Sequence, residues 1–176
     1  MVAVMRFHED WLPAESCVAL QRLVHHTRRV RGDIIEIGSW EGKSTIALAT
    51  AAAPDRVRAV DTWLGSPGED SERLAASRDV YAQFCENTAH LDNIDVYRMG
   101  WRDFAKGYKG RIRLLFIDAE HTYEEVSDTI VAFLPYMREG GIICGDDVNQ
   151  PPVRTAVLDT LGDGSSHASI WYWRAP

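Results

Sequence analysis

Apolar residues in this chain fall into short runs separated by amphipathic stretches. The runs Ile34-Ile35-Glu36-Ile37, Val57-Arg58-Ala59-Val60, Leu114-Leu115-Phe116-Ile117 and Ile142-Ile143-Cys144 have the length and β-branched content of strands buried on both faces of a sheet. The pattern predicts strands over 33–37, 57–61, 94–99, 113–118, 142–144 and 168–173. It predicts helices over 12–29, 45–53, 71–89, 123–137 and 153–161. In the first helix Leu12, Leu20, Leu23 and Val24 recur at roughly helical spacing, and Pro13 suits a first turn. Arg28, Arg29 and Arg31 crowd its end, where cations complement the helix dipole, and Gly32 breaks it. Residues 64–92 are the loosest stretch, Gly65-Ser66-Pro67-Gly68 followed by a polar helix. They are the candidate for a mobile or substrate-facing insertion.

Helices that alternate with buried strands imply an α/β fold. The expectation is a single-domain, doubly wound, mostly parallel Rossmann-like sheet over 1–176, with an antiparallel terminal strand. A chain of 176 residues, 45% hydrophobic and 26% charged, can bury a core of that kind. The net charge of -7 argues against nucleic acid or an anionic membrane as a partner. Cys17, Cys85 and Cys144 are scattered and suit neither a disulfide framework nor a zinc site. Met1 to Met5 is too short for a signal segment, and no apolar stretch approaches a membrane span. A cytoplasmic setting is expected.

Glu36-Ile37-Gly38-Ser39-Trp40-Glu41-Gly42-Lys43-Ser44 joins a strand to a helix. Glycines there let backbone N–H groups approach a ligand near a helix start. A phosphate-binding Walker loop needs glycine five residues before Gly42, and that position is Ile37. A dinucleotide turn needs glycine where Trp40 stands. A ligand without phosphate at this turn fits better. Asp61, 25 residues after Glu36 at the end of the next strand, is placed to accept hydrogen bonds from ribose hydroxyls. Two further apolar runs end in Asp118-Ala119-Glu120-His121 and Gly145-Asp146-Asp147. In open α/β sheets, ligands bind beyond such strand ends.

Taken with Asp61-Thr62-Trp63, Gly100-Trp101 and Gly140-Gly141-Ile142-Ile143-Cys144, these motifs resemble class I S-adenosylmethionine-dependent methyltransferases. Within that superfamily they are most similar to the macrocin O-methyltransferase and cephalosporin-hydroxylase-type group, over roughly residues 12–173. The resemblance implies that Glu36, Gly38 and Gly42 surround the methionine part of S-adenosyl-L-methionine. Asp61 would hold the ribose, and Trp63 and Trp101 would flank the adenine, with Ser39, Trp40, Ser44, Thr62, Gly100 and Asp118 also binding the cofactor. It further implies that Asp118, Asp146 and Asp147 ligate Mg2+ or another hard divalent cation, with Asp118 and His121 catalytic and His121 the general base. Related enzymes often have Glu first in the acidic pair, or Asp-Asn, and many have a longer N-terminal region.

The function expected is metal-assisted O-methylation of a small hydroxylated molecule such as a sugar, diol or catechol. A cofactor-binding subunit without methyl transfer and an NAD-binding α/β enzyme are the alternatives. The oligomeric state is left open, with a homo-oligomer among the outcomes.

Overall fold

In the computed structural model, residues 5–176 are described, so Met1 to Val4 of the segment judged too short for a signal lie outside the described residues. The chain runs α1 (Ala14–Thr27), β1 (Asp33–Ile37), α2 (Lys43–Ala52), β2 (Val57–Asp61), α3 (Asp70–Ser77) and α4 (Val80–Thr88). It continues with β3 (Ile94–Arg98), α5 (Trp101–Gly107), β4 (Ile112–Ile117), α6 (Tyr123–Phe133), β5 (Met137–Gly145), α7 (Pro151–Leu161), β6 (Ser165–His167) and β7 (Ile170–Arg174). Seven strands form one sheet in the order β3-β2-β1-β4-β5-β7-β6. The first five are parallel, while β7 runs antiparallel to both β5 and β6. The expected sheet and its reversed terminal strand are therefore present.

Every residue of β4 is buried, and the strand's two-residue period divides them between two cores. Leu115 and Ile117 join Ile35, Ile37 and Ile143 beneath α5, α6 and α7. Leu114 and Phe116 join Ile34, Ile142 and Cys144 beneath α1 and α2. A smaller cluster packs Ala59, Trp63, Val80 and Phe84 under α4.

Several boundaries differ from the sequence pattern. The helix expected over 71–89 is two helices: Arg78 is extended (φ -154°, ψ 160°), and Asp79 restarts the chain as a cap, accepting the Ala82 N–H at 2.9 Å. The helix expected to reach 137 stops at Phe133, because Pro135 and the tight turn Leu134–Tyr136 follow. Strand β5 passes through Gly140-Gly141 rather than starting after it, and the pairing with β4 slips between Ile112 and Leu114. Helix α5 and strand β6 carry no periodicity that marks them in the sequence.

At the carboxyl edge, backbone bonds lock the central strand ends to one another. The Asp118 N–H donates to Ile37 O at 2.8 Å, Gly38 N–H to Val60 O at 3.0 Å, and Met99 N–H to Asp61 O at 2.9 Å. That edge carries the site. Among the described residues, no helix is long and apolar enough to cross a membrane.

Candidate active site

A cleft of about 640 Å³ opens along the carboxyl edge of the sheet, within the range that holds a nucleoside-sized ligand. At one end lies the turn after β1. Gly38 adopts φ +87°, and a Cβ there would stand 1.9 Å from the Asp118 carbonyl oxygen, so only glycine lets the two strand ends meet. Ser39, Trp40 and Ser44 line the cleft beside it. Trp40 takes a left-handed backbone at φ 45°.

The carboxylate of Asp61 holds this turn in place. Its Oδ2 accepts the Ser39 N–H at 2.7 Å and the Trp40 N–H at 2.9 Å, and its Oδ1 accepts the Trp63 N–H at 2.7 Å. Asp61 and Thr62 face the cleft, and lone pairs remain on Oδ1 for a ligand hydroxyl. The expected outcome of Asp61→Ala is loss of both the turn and the ligand bond. With each charge-assisted bond worth about 1.5–3 kcal/mol, S-adenosylhomocysteine affinity should fall by at least about 100-fold. Titration calorimetry measures it, and affinity within a few-fold of the parent would contradict it.

Three residues expected at the cofactor do not reach the cleft. Glu36 is fully buried below the turn, where its Oε2 accepts the Ser39 hydroxyl at 2.7 Å and also that of Thr45. Its side chain braces the turn from inside. Gly42 caps α2 at φ 88° and packs on Phe84 and Thr88. Trp63 is 3% exposed, its ring wedged against Tyr81 and Phe84 and its Nε1–H given to Trp40 O at 2.8 Å. The interior fills with this indole because its polar edge finds a carbonyl.

Glu36 keeps one oxygen, Oε1, without a partner. Burial pushes its carboxyl up to about 7 against the hydrogen bonds from Ser44, Thr45 and Ser39. A carboxyl raised from 4.5 binds its proton more tightly folded than unfolded. Its stabilising contribution is complete below about 4.5 and is lost as pH climbs through about 7. Glu36→Gln should remove that slope: the mutant-minus-parent difference in unfolding free energy should rise between pH 5 and 8, by up to about 3 kcal/mol. Urea titrations of the ligand-free protein measure it, and a flat difference would contradict it.

The other wall is Met99, Gly100 and Trp101. The Trp101 indole N–H donates to Glu125 Oε2 at 2.9 Å, and the Arg102 guanidinium lies 4.3 Å from the Trp101 ring centroid. Arg102 is held in turn by Glu125 and Asp128.

The ends of β4 and β5 add carboxylates to the lining. Donor atoms of Asp118, His121 and Asp147 all come within 4.8 Å of one another. His121 Nε2 is 2.8 Å from Asp147 Oδ2, out of line for a good hydrogen bond, and 4.0 Å from Asp118 Oδ1. Its Nδ1 is 3.0 Å from Glu69 Oε1, which also accepts the His121 backbone N–H at 3.2 Å. Burial opposes the imidazolium, but Asp118, Asp147 and Glu69 outweigh it and lift His121 to about 11. These three carboxylates favour the protonated imidazole, which works against His121 accepting a proton near neutral pH. Asp118 is raised, by burial first and by the Asp147 charge, while His121 holds Asp147 below the usual carboxylate range.

Asp146 does not join that group. It lines the cleft but is 7% exposed, and its Oδ1 has no partner. Burial and the neighbouring Asp118 push it up to about 6. The convergent set is therefore Asp118, Asp147 and His121, not Asp118, Asp146 and Asp147. Successive residues at a strand end point in different directions, so adjacency of the two acids did not mean a shared target.

Other lining residues carried no signal in the sequence. Phe7, Glu9, Trp11 and Leu12 cross the turn end, where Trp11 lies on Trp40 with ring centroids 5.3 Å apart. Arg78 ties Glu9 to the buried Glu41, which also accepts His8 Nδ1 at 2.7 Å. From the loose segment, Gly65, Ser66, Pro67 and Glu69 line the cleft.

Comparison with known proteins agrees with this geometry. Residues 35–148 match a family described as "Methyltransferase domain". A curated relative from Streptomyces olivaceus, 8-demethyl-8-(2,3-dimethoxy-alpha-L-rhamnosyl)-tetracenomycin-C 4'-O-methyltransferase, is 28% identical over 156 aligned residues, which cover 76% of this chain. The match spans 59% of that relative's length. Among solved structures, the O-methyltransferase NovP is similar with a TM-score of 0.69 at 21% identity, covering 92% of this chain and 79% of NovP. An O-methyltransferase from Bacillus cereus in complex with SAH gives 0.64 at 20%, covering 98% of this chain and 84% of that one. CalS11, a TDP-rhamnose 3'-O-methyltransferase, gives 0.64 at 18%, covering 93% and 81%. These structural likenesses establish the fold.

Proposed function

We propose that this chain, which belongs to the methyltransferase-domain family, is an S-adenosylmethionine-dependent O-methyltransferase of small hydroxylated molecules, with sugars first among them. The observation that carries the proposal is one continuous cleft, running from the Gly38 turn and Asp61 to the cluster Asp118, His121 and Asp147. A nucleoside bound at the first end would present its sulfonium methyl toward the second. Sugar O-methylation in the name of the curated relative, which gives a rhamnosyl glycoside, supports the choice of acceptor.

Transfer is an in-line displacement. The acceptor oxygen forms a bond to the methyl carbon, the carbon–sulfur bond breaks, and its electron pair stays on sulfur as a neutral thioether. The protein's part is alignment, which supplies much of the acceleration, and removal of the hydroxyl proton. The carboxylates around His121 favour its imidazolium, so the Asp118–Asp147 pair is the proposed acceptor of that proton. Burial suits Asp118 to receive it, and the His121 charge steadies the neighbouring Asp147.

Two carboxylates beside one imidazole are a donor set that fits a divalent cation such as Mg2+. Asp118 and Asp147 would hold it, joined by His121 once its ring is neutral. When bound, such an ion supplies Lewis acidity that lowers the pKa of a hydroxyl. The thiols Cys17, Cys85 and Cys144 are free, which supports a reducing setting, the cytoplasm.

The test is native mass spectrometry of the purified protein with S-adenosylmethionine, followed by S-adenosylhomocysteine release with sugar, diol and catechol acceptors. Binding and release with at least one acceptor are expected. Absence of cofactor binding would sink the proposal, and full activity in EDTA would remove the metal.

A further inference from the structure

Given the methyl transfer proposed above, the cleft's charge bears on what the acceptor can be. Glu69, Asp118, Glu120, Asp146 and Asp147 line the cleft, and Glu69, Asp118 and Asp147 surround His121. One cation stands among them, His121, and it is already shared by Asp118, Asp147 and Glu69. The Asp146 Oδ1 is buried, unpartnered and at the cleft wall. Among the described lining residues, the other full cations are engaged elsewhere. Lys43 pairs with Asp10 at the turn end, and Arg102 is held by Glu125 and Asp128.

Helix starts are the usual alternative for binding an anion, through their free N–H groups. Those of α3, α6 and α7 are unsuited to it. Helix α7 opens with Pro151-Pro152, two positions with no N–H to give. The Gln150 N–H before them is donated to Asp147 O at 2.8 Å. Helix α6 carries Glu124 and Glu125 in its first turn, and the Glu125 N–H is taken by Thr122 Oγ1. Helix α3 opens with Asp70 and Glu72. A divalent ion on Asp118, Asp147 and His121 would offset two charges and leave Glu69, Glu120 and Asp146 unmatched.

We infer that the acceptor brings no anionic group into this cleft: it is an uncharged or amine-bearing hydroxylated molecule, such as a free glycoside, and not a nucleoside-diphosphate sugar or a phosphate ester. Like charges brought together discriminate against the wrong ligand by repulsion. All three devices oppose a phosphate: surplus carboxylates, the proline pair of α7, and acidic first turns on α3 and α6.

The test saturates the protein with S-adenosylhomocysteine and titrates it with thymidine diphosphate, with and without Mg2+. No binding up to the millimolar range is expected, and a micromolar dissociation constant would overturn the inference. In Glu120→Arg, which adds a cation without touching the convergent set, thymidine diphosphate affinity should rise at least about tenfold. An unchanged affinity would also overturn it. In the turnover arm, neutral and amino sugars are compared with their phosphate esters. Sugar phosphates should give at least about 100-fold lower kcat/KM, and equal or better use of a phosphate ester would overturn the inference. Failure to bind S-adenosylhomocysteine in the first place would instead sink the cofactor assignment.

Discussion

Asp118→Ala is expected to lower turnover by about a thousandfold, the scale seen when one preorganised charged or polar group is removed from a reacting centre. S-adenosylhomocysteine affinity should change by only a few-fold. The side chain reaches toward His121 and Asp147, while the backbone that meets Gly38 is kept. Folding should not suffer either. Burial raises the Asp118 carboxyl, so its ionised form is less favourable folded than unfolded, and that contribution to stability is already lost once pH exceeds the folded pKa. Asp147→Asn should show the same kinetic pattern. Asparagine is the suitable substitute because residue 147 sits at φ 61°, a conformation that Asn tolerates and alanine resists. Single-turnover release of S-adenosylhomocysteine, beside calorimetry of its binding, separates the two effects. Turnover within tenfold of the parent in both variants would remove the pair from the chemistry.

Gly38→Ala should have the largest effect on the fold itself. The added Cβ would lie 1.9 Å from Asp118 O and 2.5 Å from its carbonyl carbon, on a backbone at φ +87°. Neither neighbour can give way, because Asp118 N–H is bonded to Ile37 O and Gly38 N–H to Val60 O. A loss of more than about 4 kcal/mol is expected, a large part of the 5–15 kcal/mol that holds a typical domain together. At this chain length that is a fall in melting temperature of about 10 °C or more, or no folded protein. Gly68→Ala is the control. It also has positive φ, +78°, but nothing lies within 4 Å of the added carbon, so only the backbone preference of about 1 kcal/mol is lost. Equal melting temperatures for the two variants would refute the steric account.

Strands β1, β2 and β4 were legible because each is mostly buried and reads as a short, largely apolar run, interrupted by Glu36 in β1, Arg58 in β2 and Arg113 near the start of β4. The carboxylates at their ends were legible for the same reason, since the run stops where the sheet meets the cleft. Less visible was anything set by distant partners. Glu69 lies 52 residues from His121 and clamps it, and no local pattern announces that. The resemblance implies that Trp63 flanks the adenine, yet Tyr81, Phe84 and the Trp40 carbonyl hold it inside. The break at Arg78 escapes a helical pattern because the cost of interrupting it is offset by contacts with Glu9 and Glu41.

The Arg78 contacts have a kinetic consequence for the proposed reaction. Residues 7–12 lie beside the Gly38 turn, pinned by the Glu9–Arg78–Glu41 chain and by Trp11 on Trp40. Near the convergent set, among the described residues, Glu69 pairs with His121. A nucleoside under residues 7–12 would have more contacts to break on leaving than a small acceptor beside His121. The expected consequence is ordered kinetics: cofactor binds first and its spent form departs last. S-adenosylhomocysteine should then inhibit competitively against S-adenosylmethionine and non-competitively against the acceptor.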